Sequence, residues 1–110
     1  MPLKSNTLPN LETLRSLFEL APVESGLKWR VNRGRKRWTG KMAGTLANSG
    51  IDRKVWKICI LGRMYNAHRI AWALANGEVP DPDAKVTHLN GDSLDNRPEN
   101  LKLIPATVRQ

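Results

Sequence analysis

Residues 54–77 constrain the fold most. Lys54 to Leu61 reads K-V-W-K-I-C-I-L, and its β-branched and aromatic residues make it the strongest strand in the chain. Gly62 follows as a tight turn into Arg63-Met64-Tyr65-Asn66-Ala67, so 54–67 is expected to be a hairpin. The next run, His68 to Asn76, is rich in Ala and Leu and reads as a helix. Asn76-Gly77 stops it in the manner of a left-handed C-cap. Ile70, Ala73 and Leu74 share a face suited to one side of the hairpin.

Upstream, Leu27 to Val31 alternates apolar and basic residues, as a half-buried strand does, with Lys28 and Arg30 on one face. Ala43 to Leu46 is a further candidate strand, and Asn48-Ser49-Gly50 is a turn. Together these segments predict an α+β fold: a small three-stranded antiparallel sheet crossed by one helix. Before them, Pro9-Asn10 leads into L-E-T-L-R-S-L-F-E-L, read as a helix capped by Asn10 and ended by Pro22. Leu11, Leu14, Leu17 and Phe18 give it one apolar stripe. The 110 residues make one domain's worth of chain. The expected division is 1–26 (helix and turn), 27–80 (basic sheet plus helix) and 81–110 (a loop-rich motif).

Composition excludes several classes. The lone Cys59 cannot form an internal disulfide, and with only His68 and His88 beside it there is no four-ligand structural zinc site. No signal-peptide-like run and no membrane-length apolar stretch is present, so a soluble cytoplasmic protein with no membrane partner is the expectation. Charge is more informative because of its placement. Residues 28–69 carry twelve Lys/Arg against the single Asp52, whereas both flanks are slightly acidic. Such a segment is a footprint for a polyanion, nucleic acid first. Within it, N-R-G-R-K-R-W-T-G-K sets Trp38 among basic residues, a combination suited to phosphate contact plus packing on a sugar or base. Arg30, Arg33, Arg35, Lys36, Arg37, Trp38, Lys57, Arg63 and Arg69 are the candidate DNA contacts.

The stretch Val86 to Leu101, V-T-H-L-N-G-D-S-L-D-N-R-P-E-N-L, leads from an apolar residue through His88 into a polar loop. A turn at Asn90-Gly91-Asp92 and an Asn-rich corner from Asp95 to Asn100 return the chain to an apolar strand, Leu101 to Ile104. Together with L-K-W-R-V-N-R-G, A-G-T-L, M-Y-N-A-H-R-I-A-W and G-E-V-P, in this order and spacing, it resembles the HNH homing-type endonucleases of phages and prophages. The sheet-and-helix part is also similar, at fold level, to the plant ethylene-response-factor type of DNA-binding domain.

The HNH resemblance implies a ββα unit that hydrolyses phosphodiester bonds in double-stranded DNA with a divalent metal, Mg²⁺ or else Mn²⁺. It also implies a bacterial or phage-infected cell; a monomer with no small-molecule substrate is expected. By position His88 is the general base, and Asn100 is the middle Asn that braces the loop and helps orient it. Asn90, Gly91, Asp92, Asp95 and Asn96 then form the structural loop. His68, which opens the helix beside Arg69, reads as packing or capping, with DNA backbone contact as the alternative.

Two positions depart from the family pattern. The Asp that commonly precedes the base as a metal ligand is here Thr87, a far poorer ligand for a hard cation. The last ligand falls by the usual offset on Arg109, or beyond Gln110 if aligned through Ala106-Thr107. The ββα motif is therefore expected to lack most of its last helix, and no metal ligand is assigned. The alternative function is a truncated or impaired relative that only binds DNA.

Overall fold

In a computed structural model the described residues are 8–32, 37–48, 53–60 and 62–105. The chain is α+β, as expected, with two α-helices and three small antiparallel sheets among those residues. Helix α1 spans Leu11–Leu17, and the Asn10 side chain caps it by accepting a hydrogen bond from the Thr13 N–H at 2.8 Å.

The helix is shorter than its apolar stripe suggests. Phe18–Leu20 leaves it as strand β1, which pairs with β2, Leu27–Trp29, in the register Phe18↔Trp29, Glu19↔Lys28 and Leu20↔Leu27. Phe18 is buried and its ring lies 4.7 Å from that of Trp29. That aromatic cross-strand contact favours extended backbone over one more helical turn. The Leu27 strand therefore belongs to its own two-stranded ribbon rather than to the three-stranded sheet.

The three-stranded sheet has the order β3-β4-β5, with β3 at Thr45–Asn48, β4 at Lys54–Ile60 and β5 at Arg63–Asn66. The expected hairpin is thus present, but its third strand begins at Thr45 rather than Ala43. Ala43 is instead buried, with its N–H bonded to the Leu27 carbonyl at 2.9 Å, and an isolated bridge joins Lys28 to Met42. In β4, Ile58 and Ile60 are buried and pair with Tyr65 and Arg63, while Lys57 and Cys59 lie on the alternate face. Arg63, paired to Ile60, does not share a face with Lys57.

Helix α2, Ala67–Asn76, is the centre of the fold. Every residue from Ala67 to Ala73 is buried, so the helix is enclosed all round rather than covering the hairpin with one face. Ala67, Ala71 and Ala73 let neighbours approach closely. It packs on α1, β1, β4, β5 and a C-terminal ribbon of β6 (Lys85–His88) and β7 (Leu101–Ile104). Gly77 ends it in the left-handed region at φ 74°, as expected. Within the helix Arg69 is buried, and its guanidinium donates to the carbonyls of Ala84 (2.7 Å) and Asp81 (3.0 Å). This clamps the approach to β6. No helix among the described residues is long and apolar enough to cross a membrane.

The turn between β1 and β2 reaches the C-terminal motif through Gly26. It has φ +84°, and a Cβ there would sit 2.9 Å from the Asn96 carbonyl oxygen and 3.2 Å from the Asn96 Cβ. At Gly77 an added Cβ would meet nothing closer than the Arg15 Nη2 at 3.8 Å. Gly77→Ala is expected to carry only left-handed strain, about 1–2 kcal/mol. Gly26→Ala carries the same strain plus a backbone clash, and its urea midpoint should fall well below that of Gly77→Ala. Equal midpoints would refute the close approach.

Candidate functional site

His88 ends β6, opposite Leu101 in the β6–β7 ribbon, with Thr87 opposite Lys102. The loop between the strands is held by its own short polar side chains. Gly91 turns it at φ 79°. Asn90 Oδ1 accepts from the Asp92 N–H at 2.8 Å, and Asp92 Oδ1 accepts from the Leu94 N–H at 2.9 Å. A 3₁₀ turn, Pro98–Asn100, then carries the buried Asn100 back toward the start of the loop. Its Oδ1 accepts from the Asn90 N–H at 3.0 Å, and its Nδ2 donates to Asn90 Oδ1 and to the Asp95 carbonyl at 3.0 and 2.9 Å. Asn100 therefore braces the loop, but its side-chain bonds go to Asn90 and Asp95 rather than to His88.

Asp95 is committed to structure. Arg97 grips it with two charge-assisted bonds of 2.8 Å, Nε to Oδ1 and Nη2 to Oδ2, and Asn90 Nδ2 adds a third at 3.0 Å. These bonds, Arg97's foremost, hold the Asp95 carboxyl well below the usual carboxylate range. Ser93 Oγ donates to the Lys54 carbonyl and so fastens the loop to β4.

The group that orients His88 is Asn96, which is 1% exposed. Its Nδ2 donates to the Ser25 carbonyl at 3.0 Å, and its Oδ1 lies 2.7 Å from His88 Nε2. A carbonyl can only accept, so the amide must turn its nitrogen to Ser25 and its oxygen to the histidine. Neutral His88 consequently carries its proton on Nε2 and keeps a lone pair on Nδ1. Sequence placed Asn96 in the loop's internal bonding and had Asn100 brace the loop and help orient His88; the side-chain hydrogen bond to His88 comes from Asn96. The 71-residue separation of Asn96 from Ser25 hid this from the sequence.

His68 is a residue that sequence left out of the site. Twenty positions from His88 in the chain, its ring lies 4.9 Å from the His88 ring, edge-on at 64°. Both rings line one cleft of about 410 Å³ together with Arg53, Asn66, Lys85, Thr87 and Ser93, among others. Of that set Thr87, His88 and Ser93 belong to the loop motif, whereas Arg53, Asn66, His68 and Lys85 come from outside it. Burial pushes the His68 pKa down from 6.5 to about 4, with the charges of His88 and Arg69 adding to it.

The expected DNA contacts separate into groups. Arg30, Arg37 and Arg63 are exposed, and Lys57 is half-buried on the open sheet face. Arg30 also donates to the Arg15 carbonyl at 3.1 Å. Trp38 is half-buried, and its ring packs against that of Trp29 at 4.7 Å and a tilt of 54°. Arg69 is the internal clamp described above, which takes its guanidinium away from a surface role. Arg33, Arg35 and Lys36 lie outside the described residues, as do Ala106, Thr107, Arg109 and Gln110, where the last ligand was sought.

The cleft does not suit a hard divalent cation by itself. Its lining holds two imidazoles and the Thr87 hydroxyl but no carboxylate, and among the described residues no group of three or more His, Cys, Asp or Glu is placed to hold a metal. Arg53 and Lys85 make it a cleft for anions instead.

In comparison with known proteins, residues 65–109 fit the family model of the HNH endonucleases. No curated protein and no solved structure matches the chain.

The depressed His68 pKa predicts an acid-sensitive step in stability. Its folded-state value lies below the unfolded 6.5, so its contribution is complete above pH 6.5, declines as pH falls, and is lost once pH has passed through about 4. The total is roughly 3 kcal/mol at most. Urea unfolding between pH 7 and 4 should show this loss in the wild type and not in His68→Phe; parallel profiles would exclude it.

Proposed function

Since the chain carries an HNH endonuclease domain over residues 65–109 and that family acts on nucleic acid, we propose that it hydrolyses phosphodiester bonds in double-stranded DNA with His88 as the general base. One observation carries the reading. Asn96 holds Nε2 of His88 and so leaves the lone pair on Nδ1, and the His88 ring lines an anion-attracting cleft. In the proposed step a water gives its proton to Nδ1, and its oxygen attacks phosphorus as the bond to the 3′ oxygen breaks. That oxygen is protonated from solvent, leaving 3′-hydroxyl and 5′-phosphate ends. Arg53 and Lys85 face the phosphate charge.

HNH nucleases generally use a divalent metal, and an ion of the Mg²⁺ or Mn²⁺ class is the proposed cofactor. The described residues do not form its site, and no step above runs through it. This same lack of a carboxylate favours a second reading, a relative that binds DNA without cutting it.

Binding is proposed to use Arg30, Arg37, Lys57 and Arg63 with the basic run Arg33, Arg35 and Lys36. The sheet that bears Lys57 and Arg63 borders the cleft, because Val55 and Asn66 line it and Ser93 is bonded to β4. Base contacts from Trp38 would use the part of its ring left open by Trp29.

Supercoiled plasmid incubated with the chain and Mg²⁺ or Mn²⁺ is expected to be nicked. His88→Ala should lower the rate by about 10²–10⁴-fold, and EDTA should stop it. Salt-sensitive DNA binding without any nicking would select the binding-only reading. Separately, neutralising Arg35, Lys36 and Arg37 together should weaken duplex binding. It should also lower the slope of log K against log salt by up to about 2.7, at 0.9 per phosphate contact. An unchanged slope would remove this segment from the interface.

A further inference from the structure

His68 was expected to serve packing or capping, with DNA backbone contact as the alternative, and its two nitrogens have different environments. Nδ1 is buried and has no hydrogen-bond partner among the described residues, on a residue only 9% exposed. Nε2 makes no hydrogen bond among the described residues and, unlike Nδ1, is not fully buried, so it is the nitrogen open to the outside. The surface that His68 lines is the His88 cleft.

Neutral imidazole has one N–H and one lone pair to distribute between those environments. A buried N–H with no acceptor is rarer and costlier than a buried acceptor with no donor. The favoured tautomer therefore keeps the lone pair on Nδ1 and directs Nε2–H into the cleft. His88 has the complementary arrangement, with its proton committed to Asn96 and its lone pair on the open nitrogen. One cleft thus holds an acceptor and a donor on rings 4.9 Å apart.

Three further observations make the donor's partner an anion. The cleft wall contains Arg53 and Lys85 and no carboxylate. His68 is the second residue of helix α2, whose N-cap, Asn66, makes no side-chain cap bond and also lines the cleft. Helix amides and the helix dipole there favour negative charge. Finally, burial keeps the ring neutral down to about pH 4, so His68 offers the anion a hydrogen bond rather than a charge.

We propose that His68 is a substrate-contacting residue of the cleavage site, donating Nε2–H to a non-bridging oxygen of the phosphate that His88-activated water attacks. The assignment rests on the nuclease reading for the identity of the phosphate, but the donor and its anion site do not depend on turnover. His68 would supply a neutral hydrogen bond to charge that builds on the phosphoryl oxygens. The opposite arrangement, His68 as general acid, needs a ring protonated near neutrality, which its burial opposes.

The test separates donor from packing. Phe keeps a ring against His88 without an N–H, whereas Gln places an amide N–H near the Nε2 position. Nitrogen-15 NMR of the wild type in EDTA should show the Nε2–H tautomer of His68, and its resonance should move when a short DNA duplex or inorganic phosphate is added. His68→Phe, checked as folded by thermal unfolding, should lower nicking by about 10- to 100-fold, the range of a hydrogen bond to a charged group. His68→Gln should recover part of that loss, mainly in kcat. An Nδ1–H tautomer, a resonance unmoved by both anions, or nicking by His68→Phe at the wild-type rate would each overturn the assignment. If the wild type fails to nick while the His68 resonance still moves, the anion site stands and the cleavage reading falls.

Discussion

The side-chain amide of Asn96 joins the two ends of this fold, and the candidate site depends on that junction. Its nitrogen bonds the Ser25 carbonyl in the turn between β1 and β2, and its oxygen bonds His88 at the end of β6. With Asn96 at 1% exposure, neither bond can be exchanged for water without moving backbone. A buried amide deprived of a partner costs about 1–3 kcal/mol, so the two contacts support each other. The close approach of Gly26 to the Asn96 backbone is the steric counterpart of the same junction. The histidine's tautomer is thus set by a turn at the other end of the sequence.

Helix α2 gives this junction a rigid background. Its alanines admit neighbours on all sides, and its Arg69 is used internally to hold the Asp81–Ala84 approach to β6. The same helix begins at the cleft with Asn66 and His68. One element therefore supplies both the centre of the core and one wall of the site. Burial of the helix start depresses the His68 pKa, while the neighbouring strand end leaves His88 half-exposed. Two imidazoles in edge contact consequently have different environments, the circumstance that lets one act as acceptor and the other as neutral donor.

The loop's acidic residues, by contrast, are committed to its architecture. Asp95 is paired with Arg97 and Asn90, and Asp92 accepts from the Leu94 N–H. With Thr87 at the position before His88, the cleft contains basic and neutral groups but no carboxylate. The electrostatics favour holding a phosphate more than holding a bare cation, which is why nicking and binding have to be measured separately.

The sequence by itself determined the local elements: the β4–β5 hairpin, the helix that follows it and its Gly77 stop, the Asn10 cap, and a His-bearing loop braced by Asn100. Each rests on interactions between residues close in the chain, which propensity, period and turn chemistry express directly. It also located the positive charge. Tertiary structure decided the contacts between distant segments. Phe18 leaves its helical stripe because Trp29 packs against it, Arg69 turns inward to carbonyls, Asn96 rather than Asn100 holds His88, and His68 reaches the site. None of these has a local signature, because an amide or imidazole in the sequence does not specify which buried partner will satisfy it. Only the packing around α2 decides that.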